Sequence, residues 1–411
     1  MLINYNVKKH FPIFKNNKKL IYLDSAATSQ MPKDSIEMLK TYYSTMHSNV
    51  HRGIHNLSTK STEMLEKTRL EVKNLINAKF IEECIFLKGT TEALNLLASC
   101  LKDYLKLTKN DIILTTITEH HANLIPWKFI ANKTGCTLKL FPIQKNGIIN
   151  LKKFKKELTK NVKILTITHV SNILGIINPI EKIIKLTKKY KTITIIDGAQ
   201  SIQHLSIDVQ KINCDFFVFS GHKMYGPTGV GILYGKIKLL QKLHPYQGGG
   251  GMIADIEKNK YIFKEVPYKF ETGTPDIAAI ITFAKSIKFI KKIKKKITIK
   301  ENDILEYLIQ NLNTIKNIHI LGNNHSKNKV GIVSFTHNYI HAHDIGSILN
   351  TYGIAVRTGH LCCIPLLKFY KHIAITRISI GIYTDYNDID ILISSLRKTI
   401  KILEKTLLNK I

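Results

Sequence analysis

The sequence contains few of the features that mark secreted or membrane-spanning proteins. Its six cysteines include no CxxC pair, and the beginning of the chain lacks the apolar region and cleavage site of a secretory signal. No apolar run reaches the roughly 18 residues that a membrane-spanning helix needs. Glycine and proline form no low-complexity linker. These absences predict a globular protein with free thiols in the reducing cytoplasm, and no membrane association.

Acidic residues are also scarce, since 30 of them accompany 61 lysines and arginines and leave a formal net charge of +31. Such an excess favours a nucleic-acid partner where basic and aromatic side chains alternate. Here the lysines are spread along the chain and fall on predicted helix faces. We therefore expect a solvated basic surface and no nucleic-acid partner.

The chain of 411 residues is long enough for one large and one smaller domain. Near-continuous apolar runs at Val162–Val170, Ile193–Ile196 and Phe216–Phe219 alternate with helical patterns, which predicts a mainly parallel sheet covered on both faces. After about Pro275 the pattern is typical of an α+β unit. The predicted division is an N-terminal lead-in at 1–20 that packs on the small domain, a large α/β domain at 21–276, and a small C-terminal domain at 277–411.

Lys223 follows the last of these apolar runs, within the segment SGHKMYGP (220–227). A lysine at a strand end, partly removed from water, suits a Schiff-base nucleophile, although an ordinary turn lysine is the alternative. Asp197 ends the preceding run and suits a partner for a pyridine nitrogen, or else a cap of the next helix. Gln200, three residues later, is placed to hydrogen-bond the same ligand.

Two further segments suit a phosphorylated aromatic ligand. Residues 89–92 (GTTE) open an apolar-periodic helix, where free N–H groups and hydroxyls form an anion site. His120, in EHHAN (119–123), follows another strand-like run. Its imidazole suits stacking on a flat ring; a metal ligand or a plain polar loop are the alternatives. No cysteine or acidic residue accompanies the two histidines at the spacing that metal ligands have, so no metal site is expected.

Together and in this order, the segments closely resemble the SufS-type (group II) cysteine desulfurases, within the class V aminotransferase family. The segments that carry the resemblance are YLDSAATSQ (22–30), NVHRGIHNLS (49–58), GTTEALNL (89–96), EHHANLIPW (119–127), THVSNILG (168–175), IDGAQS (196–201), DFFVFSGHKMYGPTGVGILY (215–234), FETGTPD (270–276) and VRTGHLC (356–362). The resemblance implies the type I pyridoxal-phosphate transferase fold, which is aspartate-aminotransferase-like, and pyridoxal 5'-phosphate as cofactor.

The resemblance also implies a role for each candidate residue at the cofactor's ring. Lys223 would bind the cofactor covalently and take the substrate's α-proton. Asp197 would pair with the ring nitrogen, Gln200 with the phenolate oxygen, and His120 would stack on the ring.

At the phosphate, the resemblance implies contacts from Thr91, Ser220 and His222. Thr274 would reach the phosphate of the neighbouring subunit of a homodimer.

For the substrate, the resemblance implies that Arg377 binds the carboxylate and Asn172 lines the pocket. Arg357 would lie beside Cys362, the nucleophile that takes sulfur from L-cysteine as a persulfide. The sulfur would pass to a SufE-like or SufU-like acceptor for iron–sulfur cluster assembly. Selenocysteine would react similarly.

The sequence departs from the family pattern RxGHHCA next to the nucleophile. Leu361 replaces the second histidine and Cys363 replaces the alanine. We expect Cys362 to carry the persulfide and Cys363 to face away, because neighbours on an extended segment point to opposite sides. Other enzymes of the same fold, such as an aminotransferase or kynureninase, remain alternatives, as do a basic nucleic-acid-binding protein and an inactive scaffold.

Overall fold

The computed structural model describes residues 7–258 and 260–408, and describes only the backbone of residues 294–299, 407 and 408. The predicted N-terminal lead-in is therefore described from residue 7 onward. Residues 1–6 of that lead-in and residues 409–411 of the predicted C-terminal domain lie outside the described residues. Its helices are α1 (Pro12–Asn16), α2 (Lys33–Thr45), α3 (Asn56–Ile76), α4 (Thr90–Leu105), α5 (Ile125–Thr134), α6 (Leu151–Glu157), α7 (Ile180–Thr187), α8 (Ser201–His204), α9 (Val209–Ile212), α10 (Ile237–Leu240), α11 (Ile277–Asn313), α12 (Ala342–Thr351), α13 (Ile364–Phe369) and α14 (Tyr386–Leu408).

The strands lie between these helices, singly or in pairs. They are β1 (Ile21–Tyr22), β2 (Cys84–Leu87), β3 (Ile112–Thr116), β4 (Thr137–Phe141), β5 (Val162–Thr168), β6 (Ile193–Asp197), β7 (Phe216–Ser220), β8 (Gly231–Gly235), β9 (Ile253–Glu257), β10 (Lys260–Phe263), β11 (Ile318–Ile320), β12 (Ile332–His337), β13 (Ile354–Ala355), β14 (Arg357–Gly359) and β15 (Ile375–Ser379). No helix in the described part of the chain is long and apolar enough to cross a membrane.

The central sheet has seven strands in the order β2-β8-β7-β6-β5-β3-β4. Its neighbours pair in parallel except at β8, which is antiparallel to both β2 and β7. Adjacent residues of each inner strand enter different cores; Ile164 belongs to one apolar cluster and Leu165 to another. The sheet is therefore covered on both faces, which explains the continuous apolar runs and confirms the predicted α/β fold.

A second, antiparallel sheet has the order β11-β12-β15-β14. Asp24 forms a bridge with Ser379 in β15 of this sheet, and β1 pairs in parallel with β13 in a separate two-stranded sheet. Helix α11 begins after Asp276, whose side chain accepts a hydrogen bond from the Ala279 N–H at 2.9 Å. The division of the chain at residues 20 and 276 stays a prediction.

The described part of the N-terminal lead-in packs against residues from three distant parts of the chain. Val7 and Phe11 are buried in one cluster with Tyr225, Ile290 and Tyr383. This packing anchors the segment that leads into β1 and Asp24.

Candidate active site

A cavity of about 340 Å³ opens at the carboxyl ends of the central parallel strands. Ligands of open α/β sheets bind at this edge, because loops from several strands converge there. The cavity is lined by all of the predicted site residues except Thr274, namely Thr91, His120, Asn172, Asp197, Gln200, Ser220, His222, Lys223, Arg357, Cys362 and Arg377.

Lys223 lies in a single helical turn, Gly221–Lys223, directly after β7. Burial lowers the pKa of its amine to about 8, and Arg377 contributes to the lowering, while Asp197 opposes it. An appreciable fraction of the amine is therefore unprotonated near neutral pH, as a nucleophile that attacks a carbonyl requires.

Asp197 is 4% exposed at the end of β6, and its Oδ1 accepts a hydrogen bond from the Ala199 N–H at 2.9 Å. Burial raises the pKa of this carboxyl. A positively charged ligand group bound next to Asp197 would stabilise the carboxylate form of this side chain. Gln200 donates from Nε2 to the Ala26 carbonyl at 2.8 Å, and its buried Oε1 has no partner among the described residues.

The predicted anion site lies at the N-terminus of α4, where Thr90 and Thr91 both line the cavity. The Ser220 hydroxyl accepts a hydrogen bond from the Thr90 N–H at 2.9 Å and lies 2.8 Å from the Thr90 hydroxyl. A Cβ on Gly231 would lie 2.3 Å from the Cα of Gly89, so a glycine in β8 allows this turn to approach the sheet. The hydroxyls of Thr90, Thr91 and Ser220 therefore meet at a helix N-terminus, which is an arrangement that suits a phosphate.

The two predicted histidines of the cavity are neutral near pH 7. Burial, with a contribution from Lys223, lowers the pKa of His120 to about 4, and that of His222 to about 4. The His120 Nδ1 accepts a hydrogen bond from the Ala122 N–H at 3.1 Å, which fixes the ring's orientation. In the described ranges no group of three or more His, Cys, Asp or Glu side chains is placed to hold a metal ion.

Cys362 lies on the loop between β14 and α13 and lines the cavity. Cys363 is 0% exposed, its Sγ lies 3.9 Å from the Ile117 carbonyl oxygen, and burial raises its pKa well above the usual range. The two thiols do separate as expected, but for a different reason. Cys362 has a φ of 55°, so a left-handed turn directs them apart, and the expectation of an extended segment was wrong.

Arg377, on β15, is 3% exposed, and its guanidinium reaches the cavity. Its Nη2 lies 3.1 Å from Asp24 Oδ1, and Arg357 Nη2 lies 2.8 Å from Asp24 Oδ2. Arg377 Nε is buried without a partner among the described residues. Asp24 was missed as a site residue; the signal was its position two residues after the short strand β1.

Asn172 also lines the cavity, and its amide contacts another residue of the lining. Its Nδ2 donates to the Leu361 carbonyl at 3.0 Å, so it contacts the loop that carries Cys362.

A second residue that sequence reasoning missed is Glu119, buried beside His120. Its oxygens accept hydrogen bonds from the Thr116 hydroxyl and the Asn123 amide, both at 2.6 Å, and burial raises its pKa to about 8. The acid is held within the strand-end turn that presents His120.

Thr274 is the one predicted site residue that does not line this cavity. It is exposed, and its hydroxyl lies 3.5 Å from the Asn49 amide. The predicted contact of Thr274 with the phosphate of a neighbouring subunit stays a prediction.

These groups fit pyridoxal 5'-phosphate. The cavity holds an amine with a lowered pKa, a buried carboxylate for a ring nitrogen, an unpaired amide oxygen and a helix N-terminus with hydroxyls for a phosphate. A flat, neutral imidazole lies beside them.

Fold and site together define an enzyme of the pyridoxal-phosphate class, and the family model for aminotransferase class-V matches residues 21–392. The chain belongs to this family, whose cofactor is pyridoxal 5'-phosphate. The chain is 44% identical to a cysteine desulfurase of Wigglesworthia glossinidia brevipalpis over 98% of its own length and 100% of that protein. It is 42% identical to a probable cysteine desulfurase of Halalkalibacterium halodurans, with 96% and 97% covered. The apo structure of a cysteine desulfurase from Thermococcus onnurineus NA1 superposes with a TM-score of 0.92 at 34% identity, covering 98% of this chain and 99% of that one.

Proposed function

We propose that the protein is a cysteine desulfurase, which converts L-cysteine to L-alanine and transfers the sulfur to Cys362. The observation that carries the proposal is that the Cys362 thiol and the Lys223 amine line the same cavity, together with the Arg377 guanidinium. The full-length similarity to cysteine desulfurases supports it.

Bound pyridoxal phosphate supplies a conjugated ring that stabilises negative charge at the α-carbon of an amino acid. Lys223 anchors it, and Asp197 keeps its ring nitrogen protonated. His120 stacks on the ring and Gln200 hydrogen-bonds its phenolate oxygen. Thr91, Ser220 and His222, which line the same cavity, would donate hydrogen bonds to its phosphate.

The Lys223 amine would take the proton from the α-carbon of the bound substrate; its lowered pKa suits this task at neutral pH. The Cys362 thiolate attacks the substrate sulfur, so a sulfur–sulfur bond forms as the bond from that sulfur to the β-carbon breaks. The electron pair of the broken bond stays with the β-carbon, which takes up one proton and becomes the methyl group of alanine, and the α-carbon regains the proton that Lys223 removed. The outer sulfur remains on Cys362 as a persulfide, and no external oxidant is required.

Arg357 lies close enough to Cys362 for the thiolate to raise the pKa of the guanidinium, although Asp24 has the larger effect. The same arrangement accepts selenocysteine, so selenocysteine lyase activity belongs to the proposal.

Arg377→Ala is expected to raise the KM for cysteine by about 10- to 100-fold, since a charge-assisted hydrogen bond to the carboxylate contributes roughly 1.5–3 kcal/mol. The cofactor should stay bound, because Arg377 lies on β15 and not beside the α4 N-terminus. Steady-state kinetics measure the change. The exposed Arg397→Ala is the control, and an unchanged cysteine dependence in Arg377→Ala would remove the proposed role.

The proposed partners follow from the chemistry of a persulfide. A SufE-like or SufU-like thiol protein would accept the sulfur and pass it to the scaffold for iron–sulfur cluster assembly. We also propose a homodimer, in which Thr274 completes the neighbouring phosphate site, and a cytoplasmic location, which suits six cysteines that are all free thiols.

The net charge of +31 is not expected to form a nucleic-acid site. Binding to duplex DNA should be weak and should fall steeply with added salt, because only counterion release would drive it. A titration of labelled duplex at low and physiological salt measures this. Tight, sequence-selective binding at physiological salt would contradict the expectation.

The products of the reaction test the proposed function. Incubation with L-cysteine should release alanine, with one sulfur recovered for each alanine. An aminotransferase acting on the same substrate would release a keto acid instead, and a non-enzyme would release neither.

A further inference from the structure

The loop that carries Cys362 has a backbone conformation that needs support. Leu361 has a φ of 48° and Cys362 a φ of 55°, so two consecutive non-glycine residues are left-handed. Such residues persist only where surrounding contacts hold them in place. The contacts that hold this loop therefore also determine where the Cys362 thiol lies.

Some of these contacts are made within the loop itself. The Cys362 N–H donates to His360 Nδ1 at 3.1 Å, and the Cys363 N–H donates to the His360 carbonyl at 3.0 Å. Since His360 is part of the same exposed turn, these bonds shape the loop but do not fasten it to the cavity wall.

Two residues outside the loop, Asn172 and His121, also contact it. The Asn172 amide donates to the Leu361 carbonyl at 3.0 Å. His121 contacts both sides of the buried Cys363: its backbone N–H donates to the Cys362 carbonyl at 2.8 Å, and its ring Nε2 accepts from the Ile364 N–H at 3.3 Å.

We infer that His121 is a positioning residue that fastens the Cys362 loop to the turn presenting His120. Because the residue next to His121 stacks on the cofactor in the proposed function, this clamp sets the distance between cofactor and thiol. The inference rests on that proposed function for its consequence in catalysis, but the clamp itself is a property of the protein.

The clamp requires a neutral imidazole with its hydrogen on Nδ1. Only an unprotonated Nε2 can accept the hydrogen bond from the Ile364 N–H. In a protonated ring, the Nε2–H of His121 would face the Ile364 N–H, and the two donors could not bond. Burial lowers the pKa of His121, and the neighbouring ring of His360 lowers it further, which favours the accepting form. The Ile364 N–H is otherwise a free donor in the first turn of α13.

Replacing the ring while keeping the backbone contact tests the inference in the holoenzyme. In His121→Ala the loop should loosen, and Cys362 alkylation by iodoacetamide should change by several-fold. Sulfur transfer to Cys362, followed by rapid quenching and mass spectrometry, should slow by about 10- to 100-fold, as a misplaced reacting group does. The absorbance change of the bound cofactor on mixing with cysteine should keep its wild-type rate.

His121→Gln is the conservative variant, because its amide oxygen reaches the position of Nε2. It should restore both the alkylation rate and sulfur transfer to near the wild-type values. His319→Ala, an exposed histidine on the edge strand β11, is the matched control and should match the wild type throughout.

Wild-type alkylation and sulfur transfer in His121→Ala would overturn the clamp, as would a Gln variant as impaired as the Ala variant. Equal slowing of the absorbance change would also overturn it, because His121 would then act through the cofactor. If the wild type forms no persulfide, the proposed function fails, and the alkylation rates still decide whether His121 holds the loop.

Discussion

Lys223→Ala is expected to abolish turnover, with a loss on the order of 10⁴-fold or more, the scale of removing a covalent catalyst. No other lysine lines the cavity among the described residues. Borohydride reduction, which fixes a lysine–cofactor bond, should therefore trap cofactor in the wild type and none in the variant. Peptide mass spectrometry of the reduced protein should locate the adduct on Lys223.

Lys329 provides a matched control for this variant. Its pKa is also lowered to about 8 by burial, but its amine donates to the Asn323 carbonyl at 2.9 Å and lies outside the cavity. Lys329→Met should keep both cofactor trapping and turnover. Covalent trapping that survives in Lys223→Ala would show that the anchor has been assigned to the wrong lysine.

Cys362→Ala is expected to be inactive in alanine release, whereas Cys363→Ala should keep most of the activity. The first change removes the thiol that lines the cavity. The second removes a buried sulfur with a raised pKa, which is a poor nucleophile. Cys363→Ala leaves a small cavity, which should lower the free energy of unfolding by about 1 kcal/mol.

Alanine release from cysteine measures both variants, and thermal unfolding measures the stability of Cys363→Ala. Cys100→Ala, which removes another buried thiol far from the cavity lining, is the control for nonspecific effects. If Cys362→Ala were active and Cys363→Ala inactive, the nucleophile would be Cys363 and the assignment to Cys362 would be wrong.

Much of the fold was predictable because the central sheet is covered on both faces. Strands β5, β6 and β7 appear in the sequence as near-continuous apolar or β-branched runs, and polar residues such as Asp197 and Ser220 mark the ends of β6 and β7. Since the ends of parallel strands meet at one edge, residues far apart in sequence were expected to meet, and the cavity lining confirms that they do.

Contacts that depend on the second sheet were not predictable in the same way. Asp24 pairs with Arg357 and Arg377 across more than 300 positions, and no local pattern encodes such a pair. The left-handed turn at Leu361 and Cys362 was missed for a related reason. Neither residue favours a positive φ, so contacts from His121 and Asn172 hold the turn.

The most direct test of a Cys362-dependent desulfurase is to locate the sulfur. The wild-type holoenzyme is mixed with L-cysteine, treated with an alkylating reagent, digested and examined by mass spectrometry, with Cys362→Ala treated in parallel. The account predicts that the peptide containing Cys362 and Cys363 gains one sulfur, that fragmentation places it on Cys362, and that alanine appears in equal amount. Alanine without sulfur on this peptide, or sulfur located on Cys363, would contradict it.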